Sequence, residues 1–170
     1  MPSDELIRNH LVWLLQGGDA HMTFREVISG FPLDRINELF PNGSRAGTET
    51  RPYGAWALLE HLRITQWDIL DFITNSEYKY LEWPKEYWPA QDKQATPEDW
   101  HRTIAKFEKD QKELVRIVED PKTDLYSPIA HGTGQTILRE VLLVADHNAY
   151  HIGEFAIMRQ VMGTWPKDHR

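Results

Sequence analysis

A long apolar segment near the C-terminus, residues 138–158, constrains the fold more than any other part of the chain. Its apolar residues recur at three- and four-residue steps, the period of an α-helix with a buried face. His147 and His151 lie four residues apart within it and therefore share one side of that helix. Two buried imidazoles cost free energy unless their nitrogens are satisfied, which a divalent metal ion does well and hydrogen bonds do adequately. The segment therefore predicts a mostly buried helix with a candidate metal-binding pair.

Helical periodicity and helix-capping residues predict three further helical segments, and the last helix extends over about residues 135–162. The other segments cover residues 3–31, with a break at Gly17-Gly18, residues 53–74 and residues 96–118. A loop is predicted at 41–52, and an aromatic, proline-containing connection at 76–96 follows the second long helix. No strand-like alternation of any length is present. We therefore predict an all-α chain that forms one four-helix-bundle domain over residues 1–170.

Composition argues against several classes of protein. The net charge of −7 is unfavourable for binding nucleic acid or an anionic membrane surface, and no apolar stretch approaches the length of a membrane span. The acidic N-terminal sequence has no apolar core of a signal peptide. The absence of cysteine removes disulfides and thiol nucleophiles, and is typical of a cytoplasmic protein. HExxH, phosphate-loop, dinucleotide-binding and nucleophile-elbow motifs are absent, as are the paired ExxH motifs of di-iron bundles.

His61, in the middle of the second long helix, is the candidate third ligand for the histidine pair. Three neutral imidazoles with an open position match a catalytic zinc site, and nickel or iron(II) would also accept them. Glu154 shares the face of the pair and has three candidate roles: orienting a ring, binding the metal, or acting as a base on a water ligand. Asp68, two turns after His61, is expected to pair with an arginine such as Arg63 or Arg139.

A buried triad needs an entry path for a ligand. We expect a cavity roofed by residues 83–88, including Trp88, and bordered by His21 at the break in the first helix. In the alternative interpretation, the aromatic connection only closes the end of the bundle, and His21 only hydrogen-bonds local backbone.

Residues 10–24, 56–70 and 134–153 resemble the DinB-like superfamily of four-helix-bundle metalloproteins, which includes thiol-dependent transferases and isomerases. The resemblance implies an up-down-down-up bundle, often a homodimer. It also implies zinc or nickel at a triad that corresponds here to His61, His147 and His151. Glu154 stands where many relatives have glutamine.

Two classes of function remain open at this point. The first is a metal-dependent enzyme acting on a small molecule, either a transferase that uses a low-molecular-weight thiol or a metal-dependent hydrolase. The resemblance favours the transferase. The second is a non-catalytic, dimerising metal-binding bundle with a role in stress response. Activity would be lost without the metal in the first class, and stability in the second.

Overall fold

The computed structural model of the protein describes residues 2–40 and 52–166, which are helical with no named β-strand. Two single-turn 3-10 helices, Leu33–Arg35 and Lys85–Tyr87, accompany the α-helices. The prediction of an all-α chain is confirmed, whereas the predicted loop at 41–52 lies outside the described residues except for Pro52. The α-helices are α1 (Pro2–Gln16), α2 (Phe24–Ile28), α3 (Ala55–Thr74), α4 (Pro97–Glu119) and α5 (Ile137–Met162).

Local sequence signals account for most of the helix ends. Gly17 and Gly18 adopt positive φ angles of 71° and 112°, so α1 ends at Gln16. Capping boxes open α2 and α4, in which a threonine and an acidic residue three positions later satisfy each other's backbone N–H groups. Gly163 ends α5 in the left-handed conformation, with φ 62°.

Two predicted helix ends are wrong by a few residues. The second part of the first predicted helix ends at Ile28 instead of Phe31. The cause is Gly30, whose φ of 60° turns the chain out of the helix. The next long helix begins at Ala55 instead of residue 53. Tyr53 is held outside it, where its carbonyl accepts a backbone hydrogen bond from Phe40.

The long helices pack in pairs, with α3 against α4 and α5, and α1 against the same two helices. One hydrophobic cluster includes residues 55–62 of α3 and residues 152–162 of α5. A second includes residues 69–70 of α3 and residues 141–144 of α5. Buried and half-buried polar side chains lie among these apolar residues in the middle of α3 and α5: His61, Gln66, His147, Asn148 and His151. The core is therefore interrupted at the level of the histidines.

Among the described residues, no helix is both long and apolar enough to cross a membrane. That the chain forms a single domain stays a prediction.

Candidate metal centre

The packing of α3 against α5 brings the three predicted histidines together. His61 comes from α3, whereas His147 and His151 lie one turn apart on α5. One ring nitrogen of each histidine lies within 4.8 Å of those of the other two. The Nε2 atoms of His61 and His147 are 3.2 Å apart. The sequence identified the pair by its spacing, and the helix packing supplies the third side chain.

Hydrogen bonds on the outer side of the cluster set the tautomers of two rings. His61 Nδ1–H donates to the carbonyl oxygen of Tyr87 at 2.7 Å. His151 Nδ1–H donates to Glu154 Oε2, also at 2.7 Å. Because the Tyr87 carbonyl and the ionised Glu154 carboxylate can only accept, Nδ1 carries the proton in each of these two pairs and the lone pair of the neutral ring lies on Nε2. This is the outer-shell arrangement that orients histidine ligands of metals.

Two buried polar atoms and one short nitrogen–nitrogen distance characterise the third ring. His147 Nδ1 and Asn148 Oδ1 are both buried and have no hydrogen-bond partner among the described residues. A proton or a cation must separate the Nε2 atoms of His61 and His147, because two lone pairs at that distance repel each other. Zinc–nitrogen bonds of ~2.0–2.1 Å in tetrahedral geometry place ligand nitrogens about 3.3 Å apart. The residues present therefore fit a divalent metal ion.

Burial keeps the two α5 histidines neutral, the state that metal coordination requires. It lowers the pKa of His147 to about 4, an effect that the neighbouring Asn148 side chain partly opposes. The pKa of His151 falls to about 3, mainly through burial and further through the charges of the other two histidines. Both rings are therefore deprotonated near pH 7.

Glu154 lies behind His151 and does not line the cavity on the open side of the triad. Its second oxygen, Oε1, accepts a hydrogen bond from the hydroxyl of Tyr53. Burial raises the pKa of this carboxyl to about 7. Of the three roles considered from sequence, the contacts match the orientation of the His151 ring. A role as a general base stays a prediction.

The open side of the triad faces a cavity of about 360 Å³, within the usual range of ligand pockets. The connection at 76–96, called the aromatic loop below, contributes Trp83, Tyr87 and Trp88 to its wall. Tyr150 and Asp146 of α5 lie on the other side. The indole of Trp88 is stacked on the His61 ring, with centroids 4.1 Å apart and planes 2° apart. The loop thus covers the triad, as one of the two interpretations of the sequence expected.

The structure does not bring His21 into this cavity. Its ring lies in a neighbouring cavity of about 420 Å³ with Trp13 and the two glycines that end α1. His21 Nδ1–H donates to the carbonyl oxygen of Met22 at 2.8 Å, the local backbone contact that the alternative interpretation expected. Among the described residues, Asp146 alone lines both cavities.

The expected pairing of Asp68 with an arginine is wrong. Arg63 pairs with Glu60 and Arg139 with Glu140, whereas Asp68 accepts hydrogen bonds from the hydroxyls of two tyrosines in the aromatic loop. Its position two turns after His61 was the available signal. The sequence could not identify its partners, because the path of a 20-residue connection depends on tertiary packing.

The role of the Tyr87 carbonyl as the acceptor for His61 was also not predicted. Every residue carries a backbone carbonyl, and only the folded loop brings this one to the His61 ring. Tyr53, the second partner of Glu154, gave no signal in its spacing.

No protein-family model, curated protein or solved structure matches this chain.

Proposed function

We propose that the protein is a metal-dependent enzyme whose His61, His147 and His151 hold one divalent metal ion beside a small-molecule pocket. The observation that carries the proposal is the convergence of three ring nitrogens within 4.8 Å, with outer hydrogen bonds that orient the His61 and His151 rings.

A bound divalent metal with an open position would lower the pKa of a water or thiol ligand and so supply a nucleophile near neutral pH. The chain's own residues set the conditions for this chemistry. Glu154 and the Tyr87 carbonyl hold two imidazoles in the ligand tautomer, and the Trp88 indole shields one face of His61 from water. The aromatic wall of the cavity suits a small organic molecule, and the exposed Asp146 at its rim favours a neutral or cationic one.

A thiol-dependent transferase is our preferred activity, and a hydrolase is the alternative. The preference rests on the resemblance to the DinB-like superfamily, which we propose as the family of this chain. Zinc or nickel is the proposed metal, because three imidazoles suit either ion, and iron(II) is compatible as well. The absence of cysteine means that a thiol would come from a cosubstrate.

The proposed architecture is an up-down-down-up bundle of α1, α3, α4 and α5. Contacts between helix ends support these directions. Arg8, in the first half of α1, donates to the carbonyl oxygen of Val118 at the end of α4. Gln111, seven residues earlier in α4, donates to the carbonyl oxygen of Leu15 at the end of α1. These contacts support an antiparallel arrangement of α1 and α4. The clusters that pair the start of α3 with the end of α5 support opposite directions for that pair as well.

We also propose a homodimer formed through α1 and α5. These two helices carry most of the large apolar side chains that the described residues leave exposed, and exposed apolar patches mark interaction sites. Light scattering at micromolar concentration should give twice the chain mass, and a monomeric mass would contradict the dimer. The exposed side chains include Leu6, Trp13, Leu142, Tyr150, Ile157 and Val161.

Elemental analysis of the purified protein tests the metal site. We expect about one zinc or nickel ion per chain in the wild-type protein. His61→Ala, His147→Ala and His151→Ala should each lose most of the metal, whereas His131→Ala should keep it, because His131 hydrogen-bonds the Phe72 carbonyl away from the triad. Full metal content in His61→Ala would refute the triad.

A further inference from the structure

We propose that Asp68 is a positioning residue that holds His61 in its ligand orientation through the aromatic loop. It accepts hydrogen bonds from two loop tyrosines, and one of these, Tyr87, provides the carbonyl that fixes the His61 ring. The inference rests on the proposed metal function of His61 and assigns to it a support that lies two turns away on the same helix.

Two successive loop residues hold the His61 ring from two directions. The Tyr87 carbonyl accepts the Nδ1–H hydrogen bond in the ring plane, and the Trp88 indole covers the ring face at 4.1 Å. Rotation of the ring about its side-chain bonds would break the first contact and collide with the second. The direction of the Nε2 lone pair is therefore set by the position of the loop backbone, since α3 itself supplies only the Cα position.

Asp68 anchors this part of the loop. Its Oδ2 atom accepts from the Tyr87 hydroxyl at 2.7 Å, and its Oδ1 atom accepts from the Tyr78 hydroxyl at 2.9 Å. Seven residues correspond to nearly two helical turns, so Asp68 and His61 project from the same face of α3. Tyr87 thus spans the two, with its hydroxyl on Asp68 and its carbonyl on His61.

Burying a carboxylate such as that of Asp68 costs free energy, which a side chain that only filled space would not require. Asp68 is 6% exposed, and no lysine or arginine pairs with it among the residues that the structure describes. Burial raises the pKa of its carboxyl, whereas the hydrogen bonds from Tyr87 and Tyr78 oppose that shift. Hydrogen bonds to an ionised acceptor are about twice as strong as neutral ones. A carboxylate here therefore fixes the two phenols, and the backbone of Tyr87, more firmly than a neutral side chain would.

Tyr87→Phe and Tyr78→Phe form a matched pair for the test. Each removes one hydroxyl that donates to Asp68 and leaves the ring in place, but only Tyr87 also carries the carbonyl bound to His61. Zinc affinity is measured by competition with a chromophoric chelator. We expect Tyr87→Phe and Asp68→Asn to weaken zinc binding about tenfold or more, the effect of losing an outer-shell support, and Tyr78→Phe to weaken it less than about threefold.

A second readout uses the metal-free protein. Nitrogen-15 NMR of the histidine rings should show His61 as the Nδ1–H tautomer in the wild type and in Tyr78→Phe. In Tyr87→Phe the ring should exchange between tautomers. Thermal unfolding of all variants reports any general loss of stability, which both tyrosine variants should share.

The outcomes separate this inference from the proposed function. Equal zinc affinities and an unchanged His61 tautomer in the two tyrosine variants would overturn the positioning role and leave the metal site standing. A wild-type protein that binds no zinc or nickel would overturn the metal function, and the NMR comparison would still decide whether the loop orients His61.

Discussion

Gln66 and Asn148 form a buried polar bridge next to the histidines, and its contribution to stability can be measured. Asn148 Nδ2–H donates to Gln66 Oε1 at 3.0 Å, and Gln66 Nε2–H donates to the Phe107 carbonyl oxygen at 2.8 Å. The exposed fractions of Gln66 and Asn148 are 1% and 5%. Gln66→Leu would leave the Asn148 amide without its acceptor and the Phe107 carbonyl without this donor. The Phe107 carbonyl lies inside α4 and keeps its helical hydrogen bond, so only the Asn148 amide is left unsatisfied. Since an unsatisfied buried group costs about 1–3 kcal/mol, we expect the free energy of unfolding to fall by a similar amount.

The double variant Gln66→Leu/Asn148→Leu should be more stable than Gln66→Leu alone. Replacing both partners of a buried hydrogen bond with apolar groups of similar size is close to neutral, so about 1–3 kcal/mol should return. Asn148→Leu alone leaves Gln66 Oε1 without its donor, but it also removes an Asn148 oxygen that lacks a partner among the described residues. The two effects offset each other, so the net change in stability should be small. Urea unfolding of the metal-free proteins, followed by far-ultraviolet circular dichroism, measures the free energy of unfolding of the wild type, the two single variants and the double variant.

Zinc binding by the same variants separates stability from function. The Asn148 side chain opposes the fall that burial causes in the pKa of His147. A metal on Nε2 would leave a proton on His147 Nδ1 that needs an acceptor, and the buried Asn148 oxygen is the candidate. We expect weaker zinc binding in both variants that carry Asn148→Leu, even where stability is restored. Additive losses of stability in the double variant would refute the coupled, buried bridge, and unchanged zinc affinity would refute the role of the Asn148 oxygen.

Three further perturbations have defined outcomes. Glu154→Ala should weaken zinc binding about 10–100-fold because His151 Nδ1–H loses its acceptor, and Glu154→Gln, which keeps an acceptor oxygen, should lose less in the same chelator competition. The pKa of Asp99 is lowered to about 2, chiefly by the backbone N–H of Thr96, the N-cap residue of α4. The contribution of the Asp99 carboxylate to stability is therefore present above pH 4 and is lost as the pH falls towards 2. Urea unfolding should show less of this acid loss in Asp99→Asn. Gly163→Ala should destabilise by about 1–2 kcal/mol because its φ is 62°, whereas Gly153→Ala, inside α5 with open space around the added carbon, should stabilise by about 0.5–1 kcal/mol; thermal unfolding compares the two.

The sequence by itself determined the helical class, most helix ends and the shared helix face of His147 and His151. Periodicity, capping boxes and glycines act within a few residues, and the same is true of the four-residue spacing that puts His147 and His151 on one face. Local rules of this kind apply before any tertiary contact forms. The early end of α2 at Ile28 was missed because Gly30 takes a positive φ, which glycine permits but does not require.

Only the tertiary structure decided which groups complete the site. His61 was a candidate from its central place in a buried helix, but its register against α5 depends on how the two helices pack. Asp68 accepts hydrogen bonds from two tyrosines and does not pair with an arginine, and the Tyr87 carbonyl accepts one from His61. Both tyrosines belong to the aromatic loop, whose sequence has no periodicity from which its path could be predicted. Partners separated by 10 to 101 residues in the chain, such as Asp68 with Tyr78 and Tyr53 with Glu154, leave no spacing to recognise. Their pairing follows from the burial of polar groups that must be satisfied wherever the folded chain brings them together.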